Sequence, residues 1–302
     1  MSADRKLLPL TILIASAAII GLAPIFVRLT ETGPAAAGFW RLALAVPMLL
    51  AITARPGGEG VGRPKPLMAL AGLFFVLDLS FWHYGVVMTS VANATVLCNL
   101  TPLVVTAFAW VVFKERPRAM FLVALAVCIA GALAMAAGAD GRQGTHPRLG
   151  DLFSVSVALW YGGYFLCVKA ARRTAGAGQV MLWSTAIGAP LVLLVSLALG
   201  ESVIPASLAG WGACLGLAVV HVAGQGGVAW ALGRLPASVT AVVVLIQPVV
   251  AGLLGWVIFK EAMTAIQMAG GAAVLAGVVM AQRAGVKTRT GAAAEASAPA
   301  KS

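Results

Sequence analysis

Arg41, Asp78 and His83 interrupt stretches that are otherwise apolar. An ionisable side chain inside a membrane-length apolar block costs at least about 2.5 kcal/mol unless a polar cavity or a partner receives it. Asp78 can bind a substrate ammonium or carry a proton or cation; equally, it can pair with Arg41 to hold structure. Arg41 suits a carboxylate, which its planar guanidinium clamps through two parallel hydrogen bonds. Snorkelling towards the interface is the structural alternative. His83 follows Asp78 by five residues and projects from another face of the same helix. It belongs to the run Phe81-Trp82-His83-Tyr84, and with Trp82 it reads as cavity lining or as a structural hydrogen bonder.

Uncharged polar residues gather near prolines inside apolar blocks: Asn93, Asn99 and Thr101 before Pro102, and Gln247 before Pro248. A helix proline frees a backbone carbonyl one turn earlier. Freed carbonyls and side-chain amides can together bind a zwitterion, or they can only join helices to one another. Trp160, Tyr161 and Tyr164 lie mid-block rather than at an edge, where interfacial aromatics concentrate. They read as a cavity wall or as core packing. His221 and Gln225 are secondary candidates, and Trp110 and Trp256 read as interfacial anchors. Cys98, Cys128, Cys167 and Cys214 lack metal-ligand spacing and read as inert thiols. No phosphate-binding loop, HExxH or GxSxG motif occurs, so neither an enzyme, a cofactor nor a metal is expected.

These residues must be positioned by membrane-spanning helices. The 302 residues are 61% hydrophobic and 10% charged, whereas soluble domains carry about 25% charged residues. The apolar blocks approach the roughly twenty residues that cross a bilayer. They fall near 8–28, 34–54, 66–88, 91–113, 118–138, 152–172, 179–199, 209–232, 237–258 and 264–284, which predicts ten helices. A net charge of +11 could suggest nucleic acid. The cations instead cluster between apolar blocks and in the tail, so the expected surroundings are lipid. With both termini cytoplasmic, sixteen Lys and Arg lie inside and four outside, as the positive-inside rule requires. Residues 286–302 read as a disordered cytoplasmic tail.

The chain repeats itself. Thr101-Pro102 through Trp110-Val-Val-Phe-Lys114-Glu115 matches Gln247-Pro248 through Trp256-Val-Ile-Phe-Lys260-Glu261 at an offset of 146 residues. A looser match relates Gly21 and Arg28 to Gly162 and Lys169. Five spans per half is an odd number, so the second half inserts upside down. Lys114-Glu115 then faces the cytoplasm and Lys260-Glu261 faces outward. Inverted repeats of this kind characterise secondary transporters.

The proline-aromatic-Lys-Glu endings, the glycine-to-cation pattern of spans one and six, and Arg41 near the start of span two resemble the EamA repeat of the drug/metabolite transporter superfamily. The resemblance covers 8–284. It implies an all-α membrane protein with ten helices in two inverted five-helix repeats, 8–138 and 150–284, around a central cavity. It also implies export of metabolites such as amino acids across a bacterial inner membrane. The chain departs from the family in having Ile20-Gly21 where Trp-Gly is common, and span seven has no match for Arg41. Asp78, Trp82, His83, Asn99, Trp160, Tyr161, Tyr164, Gln247 and Arg41 are the expected substrate-binding residues. The expected partners are a small metabolite and the lipid bilayer, with no nucleic acid, and the expected state is a monomer or weak dimer. An uptake carrier, a facilitator or a non-transporting membrane subunit are the alternatives.

Overall fold

A computed structural model of the chain describes residues 4–88, 97–137, 146–259, 264–284 and 286–287. Asn93, Lys260, Glu261 and the tail beyond 287 lie outside the described residues, as does the side chain of His83. Helices account for almost all of the described structure. They are α1 (Asp4–Ile20), α2 (Ala23–Leu29), α3 (Pro34–Ala43), α4 (Ala45–Ala54), α5 (Pro66–Met88), α6 (Thr101–Phe113) and α7 (Ala119–Ala137). They continue as α8 (Pro147–Ala171), α9 (Ala177–Ala198), α10 (Leu208–Val220), α11 (Gly226–Leu232), α12 (Ala237–Val244), α13 (Ile246–Phe259) and α14 (Ala265–Ala284). A two-residue antiparallel ladder joins β1 (Arg116–Pro117) to β2 (Val286–Lys287).

Among the described residues, seven helical stretches are long and apolar enough to cross a membrane. Three shorter apolar helices, Pro66–Trp82, Thr101–Phe113 and Ala119–Met135, fall where further spans are expected. The surface agrees with a lipid surround. Leu7, Val111, Leu194 and Leu197 are all more than half exposed, and a soluble monomer rarely shows apolar patches on that scale.

Several spans are interrupted part-way. Pro24, lacking an N–H, cannot close the bond to Ile20, and the break between α1 and α2 falls there. Gly21 at that break lies so close to α13 that a Cβ would meet Val250 Cβ at 2.7 Å. The α3–α4 break at Leu44 precedes Pro47, and the α12–α13 break at Leu245 precedes Pro248. Pro102 leaves the Cys98 carbonyl without its helical donor, and Thr101 Oγ1 donates to that carbonyl at 2.8 Å. Between α10 and α11, His221–Gln225 winds as one π-helical turn, a local widening that is frequent at functional sites.

α5 packs between α8 and α9, α3 packs on α9, and α1 packs on α11, α12 and α13. α7 and α14 form the most intimate pair. A Cβ on Gly131 would stand 2.6 Å from the Gly270 carbonyl, and one on Gly270 would stand 2.5 Å from the Gly131 carbonyl. The two backbones therefore touch directly, as small residues permit between membrane helices. Cys128 Sγ reaches the Val274 carbonyl at 3.6 Å beside this crossing. All four cysteines are free thiols.

Candidate functional site

The interrupted spans surround a polar cluster. Arg41, at the end of α3, is 7% exposed, and its guanidinium lies 5.4 Å from the Phe75 ring centroid on α5. Its Nε is buried without a hydrogen-bond partner. Asp78, one turn further along α5, is only half-buried, and it lies within electrostatic reach of Arg41. No contact ion pair joins the two; the described residues do pair Lys169 with Glu115, at 3.1 Å. The structural alternative read from the sequence, an Arg41–Asp78 salt bridge, is therefore not formed.

α8 supplies the facing wall. Tyr161 and Tyr164 stack with ring centroids 5.9 Å apart, and Tyr164 also packs on Phe75 at 4.9 Å. Both phenols lie within electrostatic reach of Arg41 and Asp78. Gln225 Nε2, on the π-helical turn, donates to the Tyr161 hydroxyl at 3.2 Å, and its Oε1 has no partner. His221, on the same turn, lies 2.9 Å from Thr185 Oγ1 through Nε2 and 5.3 Å from Phe75 ring to ring; its Nδ1 has no partner. Gln247, just past the α12–α13 break, approaches the Tyr161 hydroxyl, and its Nε2 is buried and unpartnered.

Five of the residues expected from the sequence thus converge: Arg41, Asp78, Tyr161, Tyr164 and Gln247. Trp160 instead packs against Phe74 at 6.2 Å and Phe81 at 5.8 Å, in the α5–α8 seam, with its Nε1 unpartnered. Asn99 Nδ2 is also buried without a partner, near the start of α6. Trp82 is half-buried on α5. His221 and Gln225, secondary in the sequence, belong to the cluster itself.

A buried polar atom left unmatched costs about 1–3 kcal/mol, and more when it belongs to a charged group. Such atoms are rare in folded proteins and call for an explanation. Here the unmatched donors of Arg41 and Gln247 and the unmatched acceptor of Gln225 lie around one place. The arrangement suits a polar ligand with a carboxylate for Arg41 and a donor for Asp78.

What fixes these elements lies in contacts between distant parts of the chain. Four helix starts are satisfied by acidic side chains from elsewhere in the chain. Glu201 accepts from the amides of Ala35 at 3.2 Å and Ala36 at 2.8 Å, at the start of the helix carrying Arg41. Glu59 accepts from Ala177 at 3.1 Å and Gly178 at 2.8 Å, at the start of α9. Glu115, 1% exposed, accepts from the amides of Ala237 and Ser238 and from the Ser238 hydroxyl, at 3.0, 3.3 and 2.7 Å. Glu31 accepts from Ser207 N and Oγ at the start of α10. Each carboxylate supplies acceptors to amides that lack helical partners, at the positive end of a helix dipole.

Two of these caps are reciprocal. Glu59 and Glu201 stand in corresponding loops, and each caps a helix whose N-cap is glycine, Gly176 and Gly33 respectively. Trp40 Nε1 donates to the Val203 carbonyl at 2.7 Å, and Trp183 Nε1 donates to the Val61 carbonyl at 2.9 Å. The signal was present in the sequence as Gly-x6-Trp at 33–40 and again at 176–183. In this alignment Arg41 corresponds to Ser184, which agrees with the lack of a second arginine.

Glu201 makes a prediction about pH. Burial alone would raise its pKa. Donation by Tyr84 Oη at 2.5 Å, by the Ala36 and Ala35 amides and by Ser196 outweighs burial and lowers it. A depressed carboxylate contributes stability above its unfolded pKa, about 4.3, and loses that contribution as pH falls through the lower folded value. Glu201→Gln should therefore unfold at a lower temperature than the parent near neutrality, and the two melting curves should converge in acid. A gap that does not change with pH would contradict this reading of the cap.

Known proteins resemble this chain along most of its length. The sequence pattern of the EamA-like transporter family matches residues 7–137 and 148–282. An uncharacterized transporter of Archaeoglobus fulgidus is 27% identical over 273 residues, 90% of this chain and 95% of that protein. The pseudopaline exporter CntI of Pseudomonas aeruginosa is 23% identical over 247 residues, 81% of this chain and 84% of the exporter. A protein crystal structure superposes with a TM-score of 0.77 at 19% identity, covering 91% of this chain and 97% of that one, which speaks for the fold alone.

Proposed function

The chain belongs to the EamA-like transporter family, and on that basis we propose that it is a secondary transporter exporting amino acids or similar small zwitterions by alternating access. One observation carries the substrate class: a buried guanidinium with no contact ion pair among the described residues lies within electrostatic reach of a half-buried carboxylate and of the stacked Tyr161 and Tyr164. A zwitterion offers a carboxylate to Arg41 and an ammonium to Asp78, while Gln225, Gln247 and Tyr161 complete its hydrogen bonds. Export rather than uptake rests on similarity to an exporter.

The scaffold in this reading is ten spans in two inverted halves, 8–138 and 150–284, in a bacterial inner membrane with both termini cytoplasmic. The reciprocal caps support it. Residues about 142 apart make the same bonds in opposite directions: Glu59 to α9 and Glu201 to α3. A central site between two inverted halves is the geometry in which rocking exposes it to either side.

Reconstitution in liposomes tests the proposal. Counterflow of labelled amino acids should be saturable, and a panel run with and without a pH gradient would show whether protons drive it. No flux of any amino acid or related zwitterion would overturn the reading. The non-transporting alternative predicts that outcome together with tolerance of Asp78→Asn.

A further inference from the structure

The end of α6 carries a feature that transport does not use. α6 shows one continuous exposed stripe, Leu103, Ala107, Trp110 and Val111, at the i, i+4, i+7, i+8 spacing of a single helical face. Trp110 is 54% and Val111 67% exposed. The stripe ends at Lys114, whose backbone is left-handed (φ 57°). That conformation is unfavourable for any residue with a Cβ and is usually given to glycine. It divides two neighbouring charges. Glu115 turns inward to Lys169 and the start of α12, while Lys114 stays on the surface.

Beyond the turn, β1 presents Arg116, also exposed. Trp110, Val111, Lys114 and Arg116 line a shallow cleft of about 310 Å³. No acid among the described residues pairs with either cation. Exposed Arg118, which donates to the Ala284 carbonyl at 3.2 Å, and exposed Arg283 add positive charge nearby. We propose that this cleft binds the headgroup phosphate of an anionic phospholipid. Lys114 and Arg116 hold the phosphate, the Trp110 indole sits at the glycerol level, and an acyl chain lies along the stripe of α6. Charge complementarity selects the occupant: cations that no acid pairs with among the described residues, beside an apolar, lipid-facing wall, match a molecule that is anionic at one end and hydrocarbon at the other. In the proposed orientation the cleft faces the cytoplasmic leaflet. The proposal does not depend on what the central site transports.

The test uses the full chain in neutral detergent, offered equal amounts of phosphatidylglycerol and phosphatidylcholine, with retained lipid counted by native mass spectrometry. The parent should keep phosphatidylglycerol several-fold over phosphatidylcholine, and Lys114→Gln with Arg116→Gln should abolish that preference. Excess inorganic phosphate should not displace the lipid. No preference in the parent, or an unchanged preference in the double variant, would overturn the proposal. Displacement by phosphate would overturn it in favour of a soluble-anion site. If the double variant does not fold, tryptophan quenching by dibrominated lipids decides. Dibrominated phosphatidylglycerol should quench the parent more than its phosphatidylcholine counterpart, and Trp110→Phe should erase the difference. Equal quenching in the parent would overturn the proposal.

Discussion

Replacing Arg41 with alanine should cut counterflow of any carboxylate-bearing substrate by at least about thirty-fold, because truncating one side of a desolvated charge pair costs roughly 2–5 kcal/mol. Arg41 is 7% exposed and its guanidinium lies over Phe75, so it is largely dehydrated before substrate arrives. Arg41→Lys should recover only part of the loss, since an ammonium is a point charge that cannot clamp two oxygens in one plane. The same variants tested on an amidated analogue should differ little from the parent, because the acceptor they fail to bind is absent. Equal rates for parent and Arg41→Ala with the carboxylate would remove Arg41 from the binding role and with it the main support for a zwitterion.

The second large effect is on stability. Glu115 is 1% exposed, pairs with Lys169 at 3.1 Å, and accepts three hydrogen bonds at the start of α12. Glu115→Ala would leave the Lys169 ammonium without its counter-charge and two amides without an acceptor. Breaking a buried pair from one side costs about 3–5 kcal/mol. Titration of unfolding in mixed detergent should show a loss of that size. Removing both members of the pair, with Glu115→Leu and Lys169→Met, should cost less than Glu115→Ala alone, since no buried charge is then left unmatched. A single-variant loss within about 0.5 kcal/mol, the usual scatter of surface changes, would mean that water already serves these groups.

The membrane class was legible because 61% hydrophobic composition falls in membrane-length blocks. Arg41 and Asp78 were legible for a related reason: in an apolar block a charge stands out, and lipid penalises it unless it is used. Tyr161 and Tyr164 were marked by depth. The difference between Trp160 and Tyr161 was not legible, since neighbouring positions on one helix face different surroundings and only packing decides which meets the cavity. The caps were hidden for another reason. Glu59, Glu201 and Glu115 lie in loops or at span ends, where acids are unremarkable, and each partner is more than a hundred residues away. The spacing that would have exposed them, Gly-x6-Trp in both halves, consists of residue types common in any membrane helix.

The reciprocal caps also bear on how the chain is made. Translation delivers the amides of Ala35 and Ala36 to the membrane 165 residues before the Glu201 carboxylate that accepts from Ala36 has been synthesised. Glu59, by contrast, is already in place when the start of α9 emerges 118 residues later. The later half thus docks against an acceptor that waits for it, while the earlier half carries a bare helix start until Glu201 has been made. An early fragment is therefore incomplete at the one helix that holds Arg41. Assembly of the site is tied to arrival of the second half, the situation in which chaperones and quality control act on unfinished domains.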